Sequence, residues 1–367
     1  MPVINEQRLV EHFIQLVQID SESGNEKQIA DFLHDQLTNL GFVVEKLPVP
    51  QHVSNGFNLY ARLEGALPGS TVFSAHMDTV TPGKSIQPII DNGIIRSAGD
   101  TVLGGDDKSG IAAVIEAVKS IQEQKLDHKT IEIAFTVHEE GGLMGSKHFD
   151  MSLIQSDNAI VLDTGGPVGT IITSAPGQQK LNVTIKGKPA HAGLAPEDGI
   201  SAITVAADAI NQMKLLRIDD ETTANIGVVS GGNATNIVMP TLNIIAEARS
   251  LNNDKLLAQV NHMVETFEAV AAKHGATVEI DSQRAYNAFV LDEAHPHVES
   301  VKQVFTAMDI EPKTKSTGGG SDANNFNEKG LTTVNLSTGM TKVHTTEEHI
   351  AVDDLVKITV FLKNYLT

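Results

Sequence analysis

The segment Ser74-Ala75-His76-Met77-Asp78-Thr79-Val80 sets an imidazole and a carboxylate two residues apart, just after the apolar run Thr71-Val72-Phe73. Residues at that spacing on a strand end project to the same side of a sheet. One can bind a metal ion while the other aims a neighbouring group. Such a pair is common by chance, and it gains meaning from four further clusters. Gly104-Gly105-Asp106-Asp107-Lys108-Ser109-Gly110 runs into a helical pattern, where glycines admit a ligand to the backbone and a helix N-terminus favours negative charge. His138-Glu139-Glu140-Gly141-Gly142 follows the apolar run Ile131–Val137, and Asp163 follows Ile160-Val161-Leu162. Val343-His344-Thr345-Thr346-Glu347-Glu348 comes after the run Thr333–Leu336 and a turn at Gly339.

Taken singly, each cluster has a structural explanation, as an acidic cap, a solvated turn or an isolated histidine. Taken together they supply His76, His344 and several acids. In an open α/β sheet functional groups gather at the carboxyl ends of strands, and all five clusters are expected at such ends. That set suffices for two divalent ions sharing one carboxylate. Ions about 3.5–4 Å apart activate water and polarise a carbonyl together, and an unligated carboxylate beside them serves as general base.

Composition narrows the chemistry. The 367 residues include no cysteine, which excludes disulfides, thiolate catalysis and thiolate zinc sites. Any metal must rest on imidazole nitrogen and carboxylate oxygen, a set that suits zinc and also manganese or cobalt. The 27 Lys+Arg against 46 Asp+Glu give a formal charge of −19, the opposite of a nucleic-acid footprint. Without Trp and with 3 Tyr, stacking on bases is not expected. Met1-Pro2-Val3-Ile4-Asn5-Glu6 lacks the basic-then-apolar pattern of a signal peptide, and no apolar stretch of about 18 residues occurs. A cytoplasmic enzyme without a membrane span is expected.

The elements that must position these residues follow from periodicity. Leu9, Val10, Phe13, Ile14 and Val17 mark one helical face; Ile29, Phe32, Leu33, Leu37 and Leu40 mark a second, closed by Gly41. Extended segments near 42–48, 57–63 and 70–75, a helix over 109–121 and strands over 130–137 and 159–162 give an α/β sheet flanked by helices. The middle of the chain differs: strands near 180–185, 223–230, 241–249 and 276–283 enclose helices at 199–214 and 254–274. Four strands and two helices make a self-sufficient α+β unit. The α/β pattern then resumes with a helix near 297–308, a strand near 331–336 and a last helix from about 353. The expected division is a catalytic domain over 1–177 and 284–367, with an inserted domain over 178–283.

In this order and combination the motifs resemble the co-catalytic zinc exopeptidases, the family of peptidase T, carboxypeptidase G, aminoacylase and succinyl-diaminopimelate desuccinylase. The resemblance spans essentially the whole chain and is strongest to the peptidase T-like branch. It implies a mixed central sheet in the catalytic domain and a lid or dimerisation role for the inserted one. It further implies that His76 and Asp163 bind one zinc, Glu140 and His344 a second, and Asp106 bridges both. Glu139 would be the general base, with Asp78 orienting His76 from the second layer. A cis peptide between Asp106 and Asp107 is also implied.

In the inserted domain, His191 in Gly187-Lys188-Pro189-Ala190-His191-Ala192-Gly193 resembles a histidine that stabilises the oxyanion, often across a homodimer. Asn236 and Arg249 resemble substrate-binding positions, Arg249 as a bidentate partner of a terminal carboxylate. Gly319, in Gly318-Gly319-Gly320-Ser321-Asp322, resembles a cleft-lining glycine loop. Here Ser321 replaces the family's Thr, and no Arg precedes the glycines as it does in peptidase T, a departure from strict tripeptide specificity. The implied activity is metal-dependent hydrolysis of amide bonds in small peptides, as an aminopeptidase or tripeptidase. The alternatives are the same chemistry on N-acyl amino acids or C-terminal residues, and a non-catalytic metal-binding scaffold. The full ligand set with Glu139 argues against the scaffold.

Overall fold

Leu9, Phe13, Leu16 and Val17 form the buried face of the helix Glu6–Val17, which Asn5 caps by accepting the Arg8 N–H at 3.0 Å. This helix belongs to the first of two units into which a computed structural model divides the chain; residues 4–367 are described. The first unit comprises the chain up to Ser174 with Val290–Thr317 and Ser321–Thr367; the second comprises Ala175–Phe289 with Gly318–Gly320.

The first unit is organised by a mixed sheet. At its centre lie four adjacent parallel strands, in the order Lys129–Thr136, Leu67–His76, Asn158–Thr164 and Thr332–Ser337. Every residue from Thr130 to Thr136 is buried, as fits a strand covered on both faces. Antiparallel strands Phe57–Leu63 and Val43–Pro48 extend one side, and Thr170–Ala175 pairs antiparallel on the other. The helix Gly105–Gln124 is buried over most of its length and packs on the strands Leu67–His76 and Asn158–Thr164.

One expectation is corrected here. The Asp106 cluster does not close a strand; it opens a helix, eight residues past the strand Ile94–Ser97. Asp106 and Asp107 have non-helical dihedrals, Gly104 has φ +73°, and the Asp106–Asp107 peptide is cis. A small sheet of Pro88–Asp91, Ile94–Ser97 and His349–Ala351 also escaped the periodicity reading, because strands of three and four residues are too short to show a period.

The second unit has its own antiparallel sheet, ordered Leu216–Arg217, Thr222–Gly231, Thr241–Ser250, Gly177–Lys186 and Thr277–Tyr286. Leu181, Val183 and Ile185 alternate inwards against Val205, Met263 and Phe267 from the helices Ala202–Gln212 and Asn253–Lys273. The sheet has five strands rather than the four expected, since the two-residue strand Leu216–Arg217 carries no alternation to read. Among the described residues no helix is long and apolar enough to cross a membrane.

Candidate active site

The four central parallel strands end side by side, and four of the five clusters sit at those ends. His76 is the last residue of its strand, with Asp78 two beyond; Glu139 and Glu140 follow Thr136; Asp163 lies near the end of Asn158–Thr164; His344 follows Ser337 through a loop. Asp106 arrives from the helix start. Its two oxygens face different imidazoles: Oδ1 is 2.9 Å from His76 Nε2, and Oδ2 is 3.3 Å from His344 Nε2. His344 Nε2 also lies 2.8 Å from Glu140 Oε1, and His76 Nε2 is 3.9 Å from Asp163 Oδ1. Two overlapping groups could each hold an ion, His76–Asp106–Glu140 and His76–Glu139–Asp163, with ligand atoms within 4.8 Å of one another.

Three buried carboxylates that ligate nothing in this cluster hold its backbone in place. Asp78 accepts the N–H groups of Glu139 and Glu140 at 2.9 and 3.2 Å and the Ser23 hydroxyl at 2.7 Å. Its carboxylate is 3.5 Å from His76 Nδ1, longer than a good hydrogen bond. The backbone carbonyl of Asp78 lies closer, at 2.9 Å, so His76 Nδ1–H donates there and Nε2 is left for a cation. Glu26 accepts the N–H of Gly24 at 2.7 Å and of His138 at 3.0 Å, and the Ser54 hydroxyl. Glu348 accepts three N–H groups, from Leu103, Gly104 and Asp106, at 2.8, 2.9 and 3.0 Å. Asn335 pairs with both backbone groups of Asp163, accepting at 2.9 Å and donating at 2.7 Å. Gly141 is required beside Glu140, because a Cβ there would sit 1.9 Å from the His138 ring.

Sequence reasoning missed Glu26 and Asn335, and it gave no role to Glu348 and Asp322, although both stand in motifs it singled out. Asp322 is buried beside Glu139, and one of its oxygens accepts from Thr136. An Asn within the buried run Thr333-Val334-Asn335-Leu336 was a visible signal. Glu26 offered none.

The site carries a surplus of negative charge. Burial lifts Glu139 well above the usual carboxylate range, and Glu140 and Asp322 add to it. Asp163 is raised by burial and by Asp106 and Glu139; Glu140 is raised by burial and Asp106 against the pull of His344. Asp106 goes the other way: burial opposes its ionisation, but hydrogen bonds to His344 and His76 carry it well below the usual range. The same contacts, from Asp106 and Glu140, push His344 up to about 10. Several buried acids facing two imidazole nitrogens is the donor chemistry of a divalent cation site.

The remaining sequence candidates lie in the second unit. His191 is exposed, and its Nδ1 accepts the N–H groups of Gly193 and Leu194 at 3.2 Å each. A neutral His191 therefore carries its proton on Nε2, as a donor. Asn236 is exposed and its backbone carbonyl accepts the Ala192 N–H at 2.9 Å. Arg249 is half-buried, with Nε 2.9 Å from Glu247 Oε1 and Nη1 3.3 Å from the Gly318 carbonyl. Gly319 lies in the same glycine loop.

The family model of "Peptidase family M20/M25/M40" matches residues 72–367. Aminopeptidase PepT from Bacillus cereus is 43% identical, with a TM-score of 0.91 over 99% of this chain and 98% of that one. A tripeptidase from Staphylococcus aureus is 37% identical, with a TM-score of 0.96 over the same shares, 99% and 98%. The protein YqjE of Bacillus subtilis is 43% identical over 97% of this chain and 96% of its own length. The resemblance drawn from the sequence motifs is borne out. The chain belongs to peptidase family M20/M25/M40 and is a metal-dependent hydrolase of peptide bonds.

Proposed function

We propose that this enzyme is an aminopeptidase of short peptides, tripeptides among them, working with two divalent cations, zinc in the first instance. The observation that carries this reading is Asp106, whose two oxygens face His76 and His344 separately. His76 and Asp163 would hold one ion, Glu140 and His344 the other, and Asp106 both. When bound, the ions supply the Lewis acidity that activates water and polarises the scissile carbonyl. Glu139 takes the proton from the attacking water and delivers it to the leaving amine. A carboxylate whose proton affinity is raised by burial suits both halves of that shuttle. Asp78 keeps Glu139 and Glu140 at fixed positions through their N–H groups. His191, with its proton on Nε2, is assigned to the oxyanion, and Asn236, Arg249 and Gly319 to the substrate.

The second unit is assigned to homodimerisation. Leu216–Arg217 pairs with Thr223 and Ala224, so, among the described residues, 226–231 form an uncovered strand edge. On and beside it Val228, Val229 and Ile245 are 48%, 50% and 48% exposed, and Val228 and Ile245 are register partners. A cytoplasmic location fits a substrate pool of small peptides.

The test is a hydrolysis panel of di- and tripeptides with free, N-acylated and C-terminally blocked ends, run after chelation and with zinc, manganese or cobalt restored. Chelation should abolish turnover while circular dichroism is retained, and free-amino tripeptides should lead. Preference for N-acylated substrates would reassign the enzyme to amidohydrolysis. Full turnover in protein shown metal-free by elemental analysis would refute the cation requirement.

A further inference from the structure

We propose that Glu247 is a specificity residue, an internal carboxylate that occupies Arg249 and weakens the demand for a free carboxyl end on the peptide. The proposal rests on the assignment of Arg249 to the substrate carboxylate. Glu247 and Arg249 stand two residues apart on the strand Thr241–Ser250 and share one face of the sheet. Arg249 Nε meets Glu247 Oε1 at 2.9 Å, and Nη2 meets Oε2 at 3.3 Å. This is the side-on, two-point pairing that a peptide carboxylate would itself adopt.

The pair is held in place from outside. Gln178, buried and in register with Arg249 on the next strand, donates its amide to Glu247 Oε2. Arg249 Nη1 donates to the Gly318 carbonyl at 3.3 Å. Two residues on, Gly320 lies flat against Tyr286; a Cβ there would meet ring atoms at 2.3 and 2.4 Å. Three of the five guanidinium N–H groups are thereby committed, and the side-on edge is taken. A carboxylate arriving at the remaining edge meets a guanidinium already neutralised, with Glu247 as a like charge beside it. Both side chains are about one-third exposed, so solvent damps this competition without removing it. The substrate class that follows is short peptides whose carboxyl end is neutral or extends past Arg249, alongside those ending in a free acid.

The experiment compares kcat/KM for trialanine and trialanine amide in the metal-loaded, full-length enzyme and in the variants Glu247→Gln, Glu247→Ala and Arg249→Met. Glu247→Gln should raise the acid-to-amide ratio roughly tenfold, the factor expected for one freed charge-assisted contact. Glu247→Ala should move the ratio in the same direction, and adding Arg249→Met should return it to the parental value. If both Glu247 variants keep or lower the parental ratio while Arg249→Met depresses turnover of the acid, Glu247 is a structural ion pair and the proposal fails alone. If Arg249→Met leaves the ratio unmoved in both backgrounds, the assignment of Arg249 falls and the proposal with it. Melting curves separate either result from loss of fold.

Discussion

In the first unit the ligands themselves are few, but the atoms that hold them are many. Asp78 and Glu348 direct buried carboxylates at two and three backbone N–H groups in the candidate clusters, Glu26 takes the N–H of His138 just ahead of Glu139, and Asn335 takes both backbone groups of Asp163. In the second unit His191 and Asn236 are exposed, and Arg249, half-buried, bonds Glu247 and a loop carbonyl. A cation held at the proposed site would tolerate little error in ligand position, and the backbone there is fixed with charge-assisted bonds. Peptide recognition must accept different side chains, and residues left in solvent can move to do so.

If that contrast is right, substitutions at the ligand cluster should be severe and chemically distinct. Glu139→Gln should keep both ions and lose roughly 10²–10⁴-fold in kcat, as expected for a removed general base. Glu140→Gln should instead lose one ion. Kinetics paired with elemental analysis checks both, and the opposite pattern of metal loss would exchange the two roles.

A single oxyanion donor in the second unit should come next. His191→Ala is expected to lower kcat about 10²–10³-fold with metal content intact. Mixing it with His344→Ala chains tests reach across subunits: activity regained after subunit exchange means donation in trans, and an inactive verified heterodimer means donation in cis.

The outer layer should cost less, yet register on the metal. Glu348→Gln keeps the shape but turns an amide towards one of three N–H donors, and ion affinity should fall about 10–100-fold by calorimetric titration. An unchanged affinity would mean that this carboxylate serves folding only.

Smallest is a proton. The ion-free His344 is pushed up to about 10 from its ordinary 6.5, so it is charged at pH 7 and must lose that proton to bind a cation. Because the folded value is the higher one, the stabilisation His344 gives the ion-free protein is complete below about pH 6.5 and lost as pH rises through 10. Its half-exposed ring mutes the effect on stability. Calorimetry at pH 7 in two buffers of different ionisation heat should show proton release on ion binding, and tighter binding at pH 8.

The candidate cluster was legible because most of its residues stand in short local strings beside apolar runs: His76 and Asp78 after Val72-Phe73, Glu139 and Glu140 after Ile131–Val137. Strand alternation likewise located most of the second unit's sheet. What stayed hidden acts through the backbone at a distance. Glu26 bonds His138 across 112 residues, and Glu348 bonds Leu103, Gly104 and Asp106 across 242–245. A backbone N–H leaves no trace in residue type, so such pairs cast no pattern. Glu247 was written beside Arg249 all along, but only the strand register turned adjacency into competition.

The long reach of Glu348 also orders events in time. A ribosome delivers Leu103–Asp106 long before Glu348, and until then three N–H groups at and just ahead of Asp106 lack their acceptor. Domains fold as units during synthesis, at about 5–20 residues per second. The roughly 240 residues that separate the two segments therefore impose a delay of about 12–50 s. His344 emerges only four residues ahead of Glu348. If His344 is a ligand as proposed, the hydrolytic centre cannot close before both segments have been made, so the peptidase starts its life inert.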